Sequence, residues 1–170
     1  MSHNVEIKAR CSDLGRAKSV AEKLGARFVG TDRQIDTYFR VPKGRLKVRQ
    51  SSLSGGQLIP YLRPDENGPK ACEYAVIQLN DPTQVVNLLS AILGVSTTVR
   101  KTRTIYLLDN VRIHLDDVED LGSFLEFEAV CETDGANETA RNRDRVEVLL
   151  RQFGVKETDL VKGSYHELLK

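Results

Sequence analysis

The residues with the most chemical potential stand at every second position. Asn4, Glu6, Lys8 and Arg10 alternate with Val5, Ile7 and Ala9, and Arg45, Lys47 and Arg49 alternate with Leu46 and Val48. The same spacing sets Tyr61 with Arg63, Lys101 with Arg103, Arg112 with His114 and Asp116, and Glu126 with Glu128. Side chains at i and i+2 of a strand share a face. A solvated sheet also shows polar residues at alternate positions, but there the charges are mixed. Here some faces are sorted by sign: basic at 45–49 and at 101–103, acidic at 126–128. Like charges roughly 7 Å apart on one face repel, and a bound ion of opposite sign relieves them. The cation rows match a polyanion with several phosphates, which Arg holds in forked geometry. Glu6, Glu126 and Glu128 match a hard divalent cation such as Mg²⁺ or Mn²⁺, which takes oxygen ligands. Metal, basic rows and a triphosphate describe phosphoryl or nucleotidyl transfer, which works mainly by positioning and charge neutralisation.

The elements that must position these residues are legible from periodicity and turn chemistry. Period-two stretches predict strands at Val5–Arg10, Gln34–Arg40, Leu46–Gln50, Gln57–Arg63, Tyr74–Leu79, Val99–Leu107, Val111–Asp116 and Phe124–Cys131. Ser54-Gly55-Gly56 separates the third from the fourth, and Asp109-Asn110 fits a tight hairpin. Three helices are expected. The first follows the cap Ser12-Asp13, with Leu14, Ala17, Ala21 and Leu24 on one face and Gly25 past its end. The second follows Asp81-Pro82, with the stripe Val85, Leu88, Leu89, Ile92 and Leu93 and then Gly94. The third runs from about Asn137 to Phe153 and buries Val146, Leu149, Leu150 and Phe153. His166 to Lys170 reads as one further turn. The simplest α+β arrangement closing these strands is a barrel. Its apolar faces turn outward beneath the helices, and its charged faces line the interior.

Composition narrows the classes. The chain has 170 residues and suits one domain, 1–170. Its net charge of +1 argues against general nucleic-acid coating. The basic residues of the third helix are interrupted by Glu138, Asp144 and Glu147, so that face reads as solvated. Cys11, Cys72 and Cys131 stand far apart, without the spacing of a zinc or redox motif, and fit reduced thiols. Charge soon after the start and the lack of a long apolar run point to a soluble, cytoplasmic protein without membrane partners. Gly55-Gly56 lacks phosphate-loop spacing. Asp116-Asp117…Glu119-Asp120 lacks that of an EF-hand. His114 and His166 stand too isolated in sequence for a metal cluster. His114 falls on a charged face, either as a lumen group or as an ordinary hydrogen-bonded side chain.

The ordered set of motifs resembles the CYTH superfamily, which includes class IV adenylyl cyclases, thiamine triphosphatases and inorganic triphosphatases. The resemblance rests on Asn4-Val5-Glu6-Ile7-Lys8, Asp36-Thr37-Tyr38-Phe39, Leu46-Lys47-Val48-Arg49 and Tyr61-Leu62-Arg63-Pro64. It continues through Lys101-x-Arg103, Ile113-His114-Leu115-Asp116, Gly122-x-Phe124-Leu125-Glu126-Phe127-Glu128 and Ser164-Tyr165, nearly the whole chain. It implies a closed eight-stranded antiparallel β-barrel, the triphosphate tunnel, with helices packed outside. It implies a metal-dependent enzyme for triphosphates, a hydrolase or an adenylyl cyclase, acting as monomer or homodimer on a small-molecule triphosphate with Mg²⁺ or Mn²⁺. Glu6 and Glu128 would ligate the metal with help from Glu126. Lys8, Arg49, Arg63, Lys101 and Arg103 would grip the phosphates, supported by Lys47 and Arg112. Asp116 would stand near the attacked phosphorus or a second metal, and Tyr38 near the reacting phosphate. Two departures mark this chain. Asn4 replaces the first Glu of the signature and brings a carbonyl oxygen without charge. Arg63 replaces the lysine that pairs with the tyrosine in thiamine triphosphatases, and Arg does not release its proton. The strings around Arg63 and His114 look closer to the class IV adenylyl cyclase branch. The alternative is a module that binds nucleotide or polyphosphate without turnover, and Asn4 is the feature that favours it.

Overall fold

The computed structural model describes residues 2–62, 70–132 and 135–170. Strand β1 (Ser2–Arg10) leads into helix α1 (Leu14–Lys23). Strands β2 (Arg27–Phe39), β3 (Arg45–Ser51), β4 (Gly55–Leu62), β5 (Lys70–Tyr74) and β6 (Ile77–Leu79) precede helix α2 (Pro82–Leu93). Then come β7 (Val95–Leu108), β8 (Val111–Val118), β9 (Gly122–Cys131), α3 (Ala136–Gln152), a 3₁₀ turn (Glu157–Asp159) and α4 (Tyr165–Leu168). The strand order β3-β2-β7-β8-β9-β1-β5-β4 closes on itself because β3 also pairs with β4. The result is an α+β fold: a closed barrel of eight antiparallel strands with the helices outside. β6 hangs on β4 as an extra, ninth strand.

Local chemistry sets the boundaries. The Asp13 side chain accepts a hydrogen bond from the Arg16 amide at 2.9 Å, and Asp81 accepts one from Gln84 at 2.9 Å. These caps satisfy amides that have no partner inside the helix. Asp109, with φ of 51°, makes the two-residue turn between β7 and β8. Gly56 is required by a close approach: a Cβ there would lie 2.7 Å from the Pro82 ring, so α2 could not seat against β4.

Three expectations are corrected. β2 begins at Arg27, well before residue 34: Gly30-Thr31-Asp32-Arg33 pairs regularly with β7 but carries no apolar alternation, and a bulge between Phe28 and Gly30 interrupts the period before it. The single strand expected at 74–79 is two pieces: β5 pairs with β1 and β4, and β6 with β4 alone. The apolar stripe of α2 buries none of its residues. That helix contacts β2 and β3 but leaves Leu88 57% and Ile92 72% exposed.

The main core lies outside the barrel. Val5, Ile7, Tyr106, Ile113, Leu115, Leu125 and Phe127 point outward from the strands against Ala17 and Ala21 of α1 and Val146 and Leu149 of α3. With strand side chains alternating, this outward apolar set turns the charged set inward. No helix among the described residues is long and apolar enough to cross a membrane. Phe127 is 1% exposed and meets Phe153 edge-on at 5.0 Å between ring centroids. Truncating it with Phe127→Ala should lower unfolding free energy by about 3–5 kcal/mol, measured by urea denaturation at neutral pH.

Candidate functional site

The interior is a tunnel of about 540 Å³, within the usual range for small-molecule sites. The inward residues of β7 give its order from one end to the other. Val99 belongs to a buried apolar floor with Tyr38, Val118, Phe124 and Tyr165. Lys101 and Arg103 come next, and Ile105 and Leu107 line the far end. Tyr165 is delivered by the C-terminal segment. That segment is held where the Val161 amide donates to the Lys8 carbonyl at 2.9 Å and where Arg45 pairs with Glu167. Arg45 therefore pins α4, although the sequence grouped it with Lys47 and Arg49.

The cations of the wall are held by buried carboxylates behind it. Asp36, with 0% exposure, accepts a fork from Arg49 (Nε to Oδ1 and Nη2 to Oδ2, both 2.7 Å). It also accepts from Lys47 Nζ at 2.9 Å and Lys101 Nζ at 3.4 Å. Burial alone would raise the Asp36 carboxyl, but Arg49, Lys101 and Lys47 hold it well below the usual carboxylate range. On the other side of the balance, burial, with Arg49 adding repulsion, brings Lys47 down to about 8. Burial also lowers Lys101 well below its ordinary value. Burial pushes the Tyr38 phenol up, with Tyr61 and Asp36 adding to it, so it stays protonated. Its ring stacks on His166 at 4.5 Å.

Asp116 differs from its expected place near the reacting phosphorus. It is wholly buried behind the wall, where Arg103 forks onto both its oxygens at 2.7 Å and the Tyr165 hydroxyl donates at 2.6 Å. Burial opposes ionisation, yet Arg103 brings its pKa down to about 2. Its role in this geometry is to hold Arg103. The Tyr165 ring lies 3.8 Å from Lys8 Nζ and so helps to fix that ammonium as well.

The third group is the acidic wall of β1, β8 and β9. Register sets Glu6 opposite Glu128, Lys8 opposite Glu126, Arg112 opposite Glu128 and His114 opposite Glu126. Lys8 Nζ lies 3.0 Å from Glu126, Arg103 lies 3.2 Å from it, and Arg112 lies 3.3 Å from Glu128. Against the pull of burial, Lys8 and Arg103 keep Glu126 well below the usual range. The possible ligand atoms of His114, Glu126 and Glu128 lie within 4.8 Å of one another. This corrects the reading of His114 as too isolated for a metal cluster. Its neighbours come from the adjacent strand, and its Nδ1 is 3.0 Å from Glu126 Oε1. Burial and Arg103 lower its pKa, so the ring is neutral near pH 7. Glu6 lines the same tunnel, cross-strand from Glu128, but is not in that cluster. Asn4 donates through Nδ2 to Glu128 Oε1 at 2.7 Å, and its buried Oδ1 has no hydrogen-bond partner. Two carboxylates and an orphaned amide oxygen are the oxygen donors a hard divalent cation takes, and the imidazole beside them adds a nitrogen donor suited to borderline metals.

The structure thus brings Glu6, Lys8, Tyr38, Lys47, Arg49, Lys101, Arg103, Arg112, Glu126 and Glu128 to one tunnel. Arg63 lies outside the described residues. Sequence reasoning gave no role to Asp36, Asp32 or Tyr165. For Asp36 a signal existed: an acid two residues before Tyr38, on the inward face of a strand beside the basic row of β3.

The sequence pattern of the CYTH domain matches residues 2–165, and the chain belongs to that family. A Methanocaldococcus jannaschii protein named "Putative adenylate cyclase" is 26% identical over 174 residues, 96% of this chain and 97% of its own. A solved Pyrococcus horikoshii structure is 29% identical, with a TM-score of 0.81 and 99% of both chains covered. A Hippeastrum protein shares the fold at 13% identity, with a TM-score of 0.60 over 99% of this chain and 94% of its own. That protein is described as a "putative adenylyl cyclase" with a dominant triphosphatase activity.

Replacing Asp36 leaves three buried cations without their shared counter-charge. Asp36→Asn should cost roughly 3–5 kcal/mol at pH 7, read by urea unfolding. The folded pKa of Asp36 is depressed, so its contribution is complete above its ordinary value of 3.8 and drains as pH falls below it. The gap between wild type and variant should therefore narrow in acid.

Proposed function

We propose that this chain is a divalent-metal-dependent enzyme that cleaves a phosphoanhydride bond of a triphosphate. The observation that carries this reading is one enclosed tunnel holding Lys8, Lys47, Arg49, Lys101 and Arg103 beside the His114–Glu126–Glu128 cluster. Glu126, Glu128, His114 and the Asn4 carbonyl, with Glu6 beside them, would hold Mg²⁺ or Mn²⁺. When bound, the ion neutralises phosphate oxygens and draws electron density from the attacked phosphorus. The chain's own work is to fix the phosphate chain. Arg49 and Arg103, aimed by their carboxylate forks, present their remaining N–H groups to phosphate oxygens, and Lys8, Lys47 and Lys101 add ammonium donors. Burial of Lys8, Lys47, Lys101 and Arg103 raises the strength of these contacts. Attack by water releases inorganic phosphate, and attack by a ribose hydroxyl on the α-phosphorus releases pyrophosphate. The cyclase-named relative in M. jannaschii and the triphosphatase activity named for the Hippeastrum protein support these as the two reactions to test.

Incubation with Mg²⁺ or Mn²⁺ and tripolyphosphate, ATP or thiamine triphosphate, resolving phosphate, pyrophosphate and cyclic AMP, identifies the reaction. Loss of a residue behind a metal ligand already costs about 10–100-fold, so Glu128→Gln, which removes a ligand, should lower turnover by ~100-fold or more while tripolyphosphate still binds. Binding by a wild type that turns over none of these substrates would favour a non-catalytic module instead, the reading Asn4 suggests.

Lys47, at about 8, gives a pH signature. A neutral amine does not attract phosphate, and a bound polyanion restores the proton, so binding takes up a proton above pH 8. Tripolyphosphate affinity, measured by calorimetry from pH 6.5 to 9.5, should fall above about pH 8. Lys47→Arg should remove that component.

A further inference from the structure

Among the cation rows lies a lining group that a phosphate cannot use. Gln34 is 5% exposed and faces the tunnel from β2. Register sets it opposite Lys101 of β7 on one side and Ser51 of β3 on the other, two residues from Asp36. It thus stands beside the groups that would grip the phosphate chain. Its amide nitrogen donates to Asp32 Oδ2 at 2.7 Å. The reverse orientation would press an amide oxygen against a carboxylate, so this bond fixes which end of the amide faces which way. Asp32 is held in turn. It is 2% exposed and accepts from the Ser51 hydroxyl at 2.7 Å, the Ser52 hydroxyl at 2.9 Å and the Leu53 amide at 3.2 Å. Gln34 Oε1 is left buried, with no hydrogen-bond partner among the described residues.

Its neighbours spend their donors elsewhere. The Ser51 hydroxyl goes to Asp32, and Lys47, Arg49 and Lys101 turn to Asp36. An ionised phosphate brings acceptors only, and its oxygens are repelled by Oε1. A buried acceptor left bare is costly, so this position calls for a donor small enough to lie beside a phosphate chain. The other orphaned oxygen, Asn4 Oδ1, belongs to a side chain bonded to Glu128, where a cation can meet it. Gln34 Oε1 lies among cations, which would repel a further one. A neutral donor is required, and water is one: it gives a hydrogen to Oε1 and keeps a lone pair for phosphorus.

We propose that Gln34 is a positioning residue whose Oε1 holds the attacking water for hydrolysis of the terminal phosphate. This rests on the triphosphate reading given above. The water oxygen bonds to the terminal phosphorus. The bridging P–O bond breaks, and its electron pair leaves with the rest of the chain. One water hydrogen stays on the released phosphate, and the other passes to an oxygen of the departing chain. An amide oxygen does not take up that proton, so Gln34 aims the water and is not a base.

Gln34→Met keeps the length of the side chain and removes the acceptor. Ser52→Ala, at an exposed position, cuts one bond of the Asp32 network and leaves the acceptor in place. Phosphate release from tripolyphosphate and ATP with Mg²⁺ or Mn²⁺ gives kcat and KM. Calorimetry in EDTA gives the tripolyphosphate dissociation constant without metal-dependent turnover. Gln34→Met should lower kcat by roughly 100-fold, the cost of a misplaced nucleophile, with KM and the dissociation constant unchanged. Ser52→Ala should keep the wild-type kcat. An unchanged kcat in Gln34→Met, a parallel loss of affinity, or an equal loss of kcat in Ser52→Ala overturns the water site and leaves the triphosphate tunnel standing. So does a wild type that yields only pyrophosphate and cyclic AMP from ATP. A wild type that turns over neither substrate overturns both.

Discussion

Placing several cations inside a narrow tunnel is the constraint on which the rest of the structure depends. Each loses hydration, and each repels its neighbours. The fold answers with buried acids, two of them, Asp36 and Asp116, outside the tunnel lining and one, Glu126, within it. Asp36 serves Arg49, Lys47 and Lys101; Asp116 serves Arg103; Glu126 serves Lys8 and Arg103. The balance is uneven. The two Arg forks are charge-assisted and two-pronged, whereas Lys47 and Lys101 share one oxygen of Asp36 and are pushed toward neutrality. The lysines therefore carry the charge most readily restored by a polyanion, and the arginines supply fixed geometry.

The same acids do mechanical work. Asp116 joins Arg103 to Tyr165, and Tyr165 joins the C-terminal turn to the ammonium of Lys8. One residue of the tunnel floor, Tyr165, thus comes from the opposite end of the chain from β1, and Arg45 with Glu167 keeps it in place. Because the barrel keeps its apolar packing outside, against α1 and α3, its interior can remain polar without loss of a core. The same fold appears in a solved structure at 13% identity.

From floor to mouth the tunnel passes through three chemistries: aromatic and aliphatic closure, cations, then carboxylates facing aliphatics. β7 alone displays much of the sequence, with Val99 in the buried floor and Lys101, Arg103, Ile105 and Leu107 along the tunnel. A strand advances about 3.3 Å per residue, so these five span roughly 26 Å on one face.

Much of this was legible before folding. Period two fixed which residues share a face, sorting by sign marked those faces as something other than solvated surface, and glycine and aspartate marked the ends of helices and hairpins. Most residues of the tunnel follow from those local rules, because alternation within a strand needs no knowledge of the partner strand. Cross-strand relations did not follow. That His114 meets Glu126, that Asp36 gathers three cations and that Asp116 faces Arg103 and Tyr165 depends on register between distant segments. The start of β2 was hidden for a related reason: residues 30–33 are glycine and polar residues on both faces, and the bulge at Phe28–Gly30 interrupts the period before them. The sequence by itself determined the charged faces. The tertiary structure decided which charges neutralise each other and which are presented to a ligand, because that choice is made by neighbours set by register, many of them far away along the chain.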